Sequence, residues 1–177
     1  KLSAVFFVVG FLFFTNANFA QAAIEYVGGQ TAGFAGKTSA TTVTFALTGG
    51  TNSVPAAGDL VIVSYTVAST VDRALTINNM SAVAYTLVGS ELYQNDTYDV
   101  NQRVAYRFMP ATPETQLSLS QTFSTADAGR YTIHVFRNVD SSTPLDVAVV
   151  SAGAIDSSTV NPASITPTTS GAFIYIA

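Results

Sequence analysis

The sequence predicts an all-β fold: an antiparallel β-sandwich preceded by a hydrophobic N-terminal signal helix. Three observations predict this fold class. Apolar and polar residues alternate in short segments such as ATTVTFALT at 40–48, and this period of two indicates strands with one buried face. Gly, Pro and Asn clusters separate the segments at short intervals, which is typical of sandwiches. Residues 2–14, by contrast, are almost continuously apolar.

The predicted strands follow one another along the chain at 40–48, 59–68, 72–78, 82–88, 101–109, 116–123, 130–136, 145–150 and 171–177. Segment 59–68 (DLVIVSYTVA) is rich in β-branched and aromatic residues, so we expect a central strand buried on both faces. Segment 101–109 places Val104, Tyr106 and Phe108 on one face and two arginines on the other. The pattern fits either a jelly-roll/lectin-like or an immunoglobulin-like sandwich.

Residues 1–22 have the layout of a secretory signal peptide. Basic Lys1 precedes a short apolar core, and Ala20 and Ala22 supply the small residues that define a cleavage site. The apolar run is about half the ~20 residues that span a membrane, so no stable membrane span is expected after cleavage. We therefore expect a secreted or cell-surface protein. A pilin-like helix that is retained in the mature subunit is the alternative.

This interpretation divides the chain into a signal peptide at 1–22 and a single β-sandwich domain at 23–177. The chain begins with Lys1 rather than methionine, and it stops within the apolar run FIYIA. These two features lead us to expect that the β-domain is truncated at its C-terminus.

Composition excludes several classes of function. After residue 22 the chain has 6 basic and 11 acidic side chains, so no basic surface is expected. We therefore predict that the chain does not bind nucleic acid. The absence of cysteine removes thiolate metal sites and cysteine nucleophiles. We expect no cofactor, with Ca²⁺ as the one weak possibility.

Segment 91–101 (ELYQNDTYDVN) is the candidate functional loop. The predicted ligand-binding residues combine carboxylates, an amide and two tyrosines: Glu91, Tyr93, Asn95, Asp96, Tyr98 and Asp99. Planar tyrosines beside amides suit contact with glycans, and hard oxygens at Glu91, Asp96 and Asp99 suit Ca²⁺, although their spacing matches no EF-hand. An ordinary solvated loop has the same composition, so the three readings stay open.

No catalytic residue is predicted. His134 is the sole histidine and shares a strand face with Thr132 and Phe136. A triad through His134 would need a nucleophile, but the G-x-S-x-G elbow is missing from the sequence. Two sequons, at 79–81 and 95–97, would be glycan acceptors only where the source glycosylates.

Segment 127–133 (DAGRYTI) resembles the tyrosine corner of immunoglobulin domains, with Ile133 in place of the usual cysteine. The resemblance implies that the hydroxyl of Tyr131 bonds to backbone just upstream. The partner cysteine and the central tryptophan of that family are both missing from this sequence.

A second resemblance covers residues 58–177. It is carried by GDLVIV at 58–63, VAYRF at 104–108, FRNVDSSTPLD at 136–146 and ITPTTSGAF at 165–173. These segments resemble an uncharacterised β-sandwich module of bacterial secreted or surface proteins and phage tail-associated proteins. Tyr85 stands where members usually have tryptophan. The resemblance implies no enzymatic activity, and Asp140 and Pro144 are interpreted as turn residues.

The sequence therefore predicts an exported, non-catalytic structural or adhesive module of a surface or virion-associated protein. Its expected partners are glycans or other surface proteins. The alternative is a carbohydrate-binding module of a larger secreted enzyme, and a pilin-like filament subunit is a lesser alternative.

Overall fold

The computed structural model describes residues 22–36, 40–69, 71–94, 99–122, 128–150 and 163–177. Nine strands and no helix occur in these ranges. The predicted signal helix lies outside them, apart from Ala22 at the cleavage position, and export therefore stays a prediction. Over the ranges given, no helix has the length and apolar character needed to cross a bilayer.

The strands form two antiparallel sheets. They are β1 (Glu25–Phe34), β2 (Thr41–Thr44), β3 (Leu60–Ser69), β4 (Leu75–Asn79), β5 (Thr86–Leu87), β6 (Leu92–Gln94), β7 (Asp99–Phe108), β8 (Gln116–Gln121) and β9 (Ala128–Arg137). The large sheet has the order β1-β9-β3-β7-β5, with β6 also paired to β7, and the small sheet has the order β2-β8-β4. The predicted all-β, sandwich-like architecture is confirmed.

The hydrophobic core lies between the two sheets. The predicted central strand is confirmed, because β3 pairs with β7 on one side and β9 on the other. In the small sheet the predicted alternation at 40–48 is also confirmed, with Val43, Phe45 and Leu47 buried and their neighbours exposed. The fully buried aliphatic side chains come from both sheets: Val27, Val61, Val63, Val67, Leu75, Leu117, Leu119, Ile133 and Val135.

The two faces of β7 alternate as predicted, and the arginine face is the one directed at the small sheet. Ala105, on that face, is part of the core, and Arg103 and Arg107 form ion pairs with Glu91 and Glu114. Each ion pair compensates the charge of its arginine, which reduces the cost of placing Arg103 and Arg107 at the margin of the sandwich. The other face of β7 lies on the outer side of the large sheet.

Two predicted strands are wrong. Residues 145–150 and 171–177 have no strand pairing. Asp146 is instead bound through its carboxylate to the backbone and hydroxyls of Thr168 and Thr169. The second segment is held by its aromatic side chains, since the ring of Phe173 lies 4.3 Å from that of Phe136. Side-chain packing on a sheet surface therefore takes the place of ladder hydrogen bonds here.

Strand β1 is absent from the sequence-based prediction. Its sequence EYVGGQTAGF contains three glycines, which have low strand propensity. Long-range contacts stabilise it: it pairs with β9 along its length, and Gly29 exchanges two backbone hydrogen bonds with Thr48. The side chain of Gln30 adds bonds to the backbone of Thr44 and Ala46. Tertiary pairing thus overrides the local signal.

Candidate functional site

The described part of the candidate loop is largely β-strand, because Leu92–Gln94 form β6 and residues 99–101 begin β7. Strand β6 pairs with the start of β7 in the register Leu92↔Gln102, Tyr93↔Asn101 and Gln94↔Val100. Of the predicted binding residues, Asn95, Asp96 and Tyr98 lie outside the described residues, and Asp99 is described only as the first residue of β7. Of the six predicted side chains, the structure therefore describes those of Glu91 and Tyr93, which both lie on the N-terminal side of the loop.

Glu91 is held by the fold at the base of this hairpin. Its Oε2 lies 2.6 Å from Nη2 of Arg103 and accepts a hydrogen bond of 3.2 Å from the backbone N–H of Leu75. The carboxylate therefore links β7 to the first residue of β4. This bonding gives Glu91 a clear structural role beside any role in ligand binding.

Tyr93 is the exposed member of the pair. Its side chain is 41% exposed, and Val100, which lies across the hairpin, is also exposed. A half-exposed tyrosine on the short strand β6, which lies beside β7 in the large sheet, can present its ring face to a sugar or to a protein surface. Tyr93 is therefore the described residue of the loop that is best placed for contact with a partner.

A Ca²⁺ site at Glu91, Asp96 and Asp99 stays a prediction. Among the side chains that the structure describes, no group of three or more His, Cys, Asp or Glu residues could hold a metal ion. The side chains of Asp96 and Asp99 are outside that set. The described residue, Glu91, already has a cationic partner in Arg103.

A buried polar cluster around Asn101 lies next to this hairpin. Asn101, which is fully buried, accepts a 3.0 Å hydrogen bond from the backbone N–H of Arg73 and donates one of 2.6 Å to Asp72. The guanidinium of Arg73 donates to the hydroxyl of Ser69 and to the backbone oxygen of Thr122. Burial of an arginine requires such bonds. Sequence reasoning missed this cluster because Asn101 and Thr122 are distant in the chain from Arg73.

Two of the motif segments meet in space. Asp59, from GDLVIV, accepts hydrogen bonds of 2.8 and 3.0 Å from Nε and Nη2 of Arg137, from FRNVDSSTPLD. The side chain of Asp59 is only 1% exposed. This bidentate pair joins the start of β3 to the end of β9, so these motif residues have a structural role.

The turn that follows β9 is organised by Asp140, as interpreted from the sequence. Its carboxylate accepts hydrogen bonds from the backbone and hydroxyl of Ser142 and from the hydroxyl of Thr143. The Ser142 and Thr143 side chains, followed by the Ser142 backbone, lower the pKa of Asp140 to about 2. This is the Asx-type turn chemistry expected of Asp.

Tyr85 is buried beside a charged pair. Its hydroxyl donates to Oε2 of Glu114 at 3.4 Å, and the guanidinium of Arg107 lies 5.9 Å from its ring centre. Burial, followed by the charge of Glu114, raises the pKa of Tyr85 well above its usual range. Tyr85 therefore packs as an aromatic core residue with a satisfied hydroxyl.

The first sequon lies in a closed part of the fold. Asn79 is 9% exposed, its Nδ2 donates to Glu114, and its Oδ1 accepts from the backbone of Ser81 and Val83. A glycan on Nδ2 would interfere with the bond to Glu114, so Asn79 is a structural residue in the folded chain. The second sequon, at 95–97, is outside the described residues.

His134 and Tyr131 have partners on β1. Nδ1 of His134 lies 3.2 Å from the hydroxyl of Tyr26, and burial lowers the pKa of His134. The hydroxyl of Tyr131 accepts a 3.4 Å bond from Gln30. Tyr131 is thus tied to a neighbouring strand in the middle of β9, whereas the predicted corner extends into residues outside the description.

No family model, curated protein or solved structure matches this chain. The resemblance to the bacterial and phage module therefore stays an expectation that depends on its motif residues.

Proposed function

We propose that the chain is an exported, non-catalytic β-sandwich module that serves as a structural or adhesive part of a surface or virion-associated protein. One observation carries the proposal. Each of the seven carboxylate side chains that the structure describes accepts a hydrogen bond or ion pair from within the fold: Glu25, Asp59, Asp72, Glu91, Glu114, Asp140 and Asp146. Carboxylates that are engaged in bonds within the fold favour a structural role for this chain over acid–base catalysis.

Export belongs to the same proposal and is supported by residues 1–22 of the sequence. N-terminal sequencing of the exported chain tests it, and we expect the mature protein to begin at Ala23. A mature N-terminus upstream of Ala23 would favour the pilin-like alternative instead. The sandwich itself is proposed to be of the jelly-roll/lectin-like or immunoglobulin-like kind.

The adhesive role is tested by binding of the purified, fluorescently labelled chain to intact cells of the source. We expect saturable binding that unlabelled chain competes away. The control is the same labelled chain after thermal unfolding, which should lose saturable binding because the surface depends on the fold. Binding that does not saturate, or that the unfolded chain retains, would overturn an adhesive role.

A carbohydrate-binding module is the second candidate, and the exposure of Tyr93 favours it. A glycan array with the chain and its Tyr93→Ala and Tyr98→Ala variants tests this candidate. Loss of array signals in these variants, with unchanged thermal stability, would support glycan contact at the loop. Identical array signals for the chain and both variants would exclude contact through these rings.

A further inference from the structure

The outer face of the large sheet, meaning the side of β3, β7 and β9 away from the small sheet, is divided into an apolar and a polar half. Residues that are paired across the three strands form rows on this face. The two rows at one end are mainly aromatic and aliphatic: Phe136–Leu60–Phe108 and His134–Ile62–Tyr106. The next two rows are mainly polar: Thr132–Ser64–Val104 and Arg130–Thr66–Gln102.

The C-terminal segment covers part of the apolar half. The ring of Phe173 lies 4.3 Å from that of Phe136, and the ring of Tyr175 lies 5.7 Å from that of His134 in an edge-on arrangement. Burial raises the pKa of Tyr175 to about 12. The segment therefore shields aromatic surface on the sheet and lies beside the polar rows.

The polar rows form the floor of a groove with a volume of about 320 Å³. Three strands contribute the floor, and the C-terminal segment forms one wall. The lining residues are Ser64, Thr66, Gln102, Arg130, Thr132, His134, Tyr175, Ile176 and Ala177. This volume is at the lower end of the range for small-molecule sites, and the three strands together span about 10 Å. Both dimensions suit one or two sugar rings.

The side chains of the groove favour a ligand with a carboxylate and several hydroxyls. Arg130 is exposed and provides a cationic fork of N–H donors, which matches a carboxylate. The hydroxyls of Thr66 and Thr132 and the amide of Gln102 can donate to and accept from sugar hydroxyls. Among these lining side chains none is Asp or Glu, and Arg130 is the one with a permanent charge.

The floor is already ordered before a ligand enters. Gln102 donates a 3.1 Å hydrogen bond to the hydroxyl of Ser64, and Nε of Arg130 donates one of 3.3 Å to the hydroxyl of Thr31 on β1. These bonds restrict the side chains on a rigid sheet, which lowers the entropy cost of binding. Tyr175 adds an aromatic wall, the usual partner of a sugar ring.

We propose that this groove binds an acidic sugar, with the carboxylate at Arg130 and the hydroxyls on the row formed by Thr66 and Gln102. This proposal names a ligand class for the proposed adhesive function. It rests on that function because it takes the adhesive partner to be a glycan. It assigns recognition to the sheet face rather than to the hairpin loop around Tyr93.

The test compares galacturonate with galactose, two sugars that share a ring and differ at the C6 carboxylate. Each is titrated at millimolar concentration into the ¹⁵N-labelled exported chain while amide shifts are followed by NMR. We expect galacturonate to shift amides of β3 and β9 around the groove, with galactose at least about tenfold weaker. Equal binding of both sugars, or no shifts with either, would overturn the acidic-sugar proposal.

Variants locate the site. Arg130→Gln should weaken galacturonate binding about tenfold, Arg130→Lys should retain part of it, and Tyr93→Ala should leave it unchanged. Circular dichroism and thermal melts check that each variant is folded, and Thr66→Val provides a second groove variant in case Arg130→Gln is not. Undiminished galacturonate binding in a folded groove variant would overturn the proposed site. Failure here is distinguishable from failure of the adhesive role, because cell binding is measured separately.

Discussion

Single polar residues hold the ends of the central strands together. Asp59 accepts two hydrogen bonds from Arg137 and a third, of 2.8 Å, from the backbone N–H of Ala56. A carboxylate that is almost fully buried loses hydration, and these charge-assisted bonds compensate for it. The pair thus fixes where β3 begins and where β9 ends.

Removing this charge should destabilise the fold. We expect Asp59→Asn to lower the free energy of unfolding by about 1–3 kcal/mol, because Arg137 loses an ionic partner while the side-chain shape is kept. Urea unfolding measures the change. The matched control is Glu25→Gln, whose carboxylate lies 4.0 Å from Arg137 and is more exposed, with an expected effect within about 0.5 kcal/mol. Equal effects of the two variants would contradict this account.

The carboxyl of Asp146 should titrate at unusually low pH. Hydrogen bonds from the Thr169 side chain, and then from the backbone and side chain of Thr168, lower its pKa from 3.8 to about 2. Because the folded pKa is depressed, the contact is fully present above pH 3.8 and is lost as the pH falls through about 2. Carboxyl ¹³C shifts measure this titration. Thr169→Val should raise the midpoint, whereas a wild-type midpoint at 3.8 would refute the contact.

At the scale of elements, the edge of the large sheet is shaped by a connection rather than by another strand. The segment after β2 approaches β1 closely, since Gly29 bonds to Thr48 and the backbone N–H of Asn52 donates to the carbonyl of Val27 at 3.1 Å. These bonds occupy backbone groups that an edge strand would otherwise expose. The glycines that lower the strand propensity of β1 also permit this approach.

A side chain at Gly50 should disrupt this edge. A Cβ added there would overlap the carbonyl of Val27, so we expect Gly50→Ala to lower stability by about 1–3 kcal/mol through backbone displacement. Thermal unfolding measures the loss. Gly33→Ala is the control, because its Cβ would meet only the carbonyl oxygen of Gly129 at 3.4 Å, an ordinary contact. A tolerated Gly50→Ala would show that the connection is not closely packed.

At the scale of the whole molecule, cohesion of the two sheets depends on a shared aliphatic core. Leu119 is fully buried on β8, which is the central strand of the small sheet, between β2 and β4. Val63 and Ile133, at the centre of the large sheet, belong to the same core cluster. Apolar burial of this kind is the main favourable term in folding.

Truncation in this core should therefore weaken the entire fold. We expect Leu119→Ala to lower the free energy of unfolding by about 2–5 kcal/mol through lost burial and a cavity. The exposed Leu87 serves as the control, and Leu87→Ala should change stability by no more than about 0.5 kcal/mol. Chemical unfolding followed by near-UV and far-UV circular dichroism measures both variants. A small effect of Leu119→Ala would mean that the two sheets depend little on this contact.

The predictability of the candidate site differs between its residues. Composition predicted a polar connection at 91–101, since loops between strands collect such residues, but Leu92–Gln94 and residues 99–101 belong to strands. It could not predict that Glu91 bonds Arg103, or that Asn101 is buried beneath the hairpin. The groove on the large sheet was missed entirely, because Ser64, Gln102 and Arg130 come together only through strand pairing.

The sequence by itself determined the all-β class, the central strand β3 and the alternation at 40–48 and in β7, because period-two patterning and turn chemistry are local properties. Only the tertiary structure decided which face of β7 points inward, that β1 is a strand, and that residues 171–177 pack by their side chains. Each of these features depends on partners that are distant in the chain, such as Phe136 for Phe173. The same holds for the ion pair between Asp59 and Arg137. Local sequence cannot specify which distant groups will compensate a buried charge or an unpaired backbone.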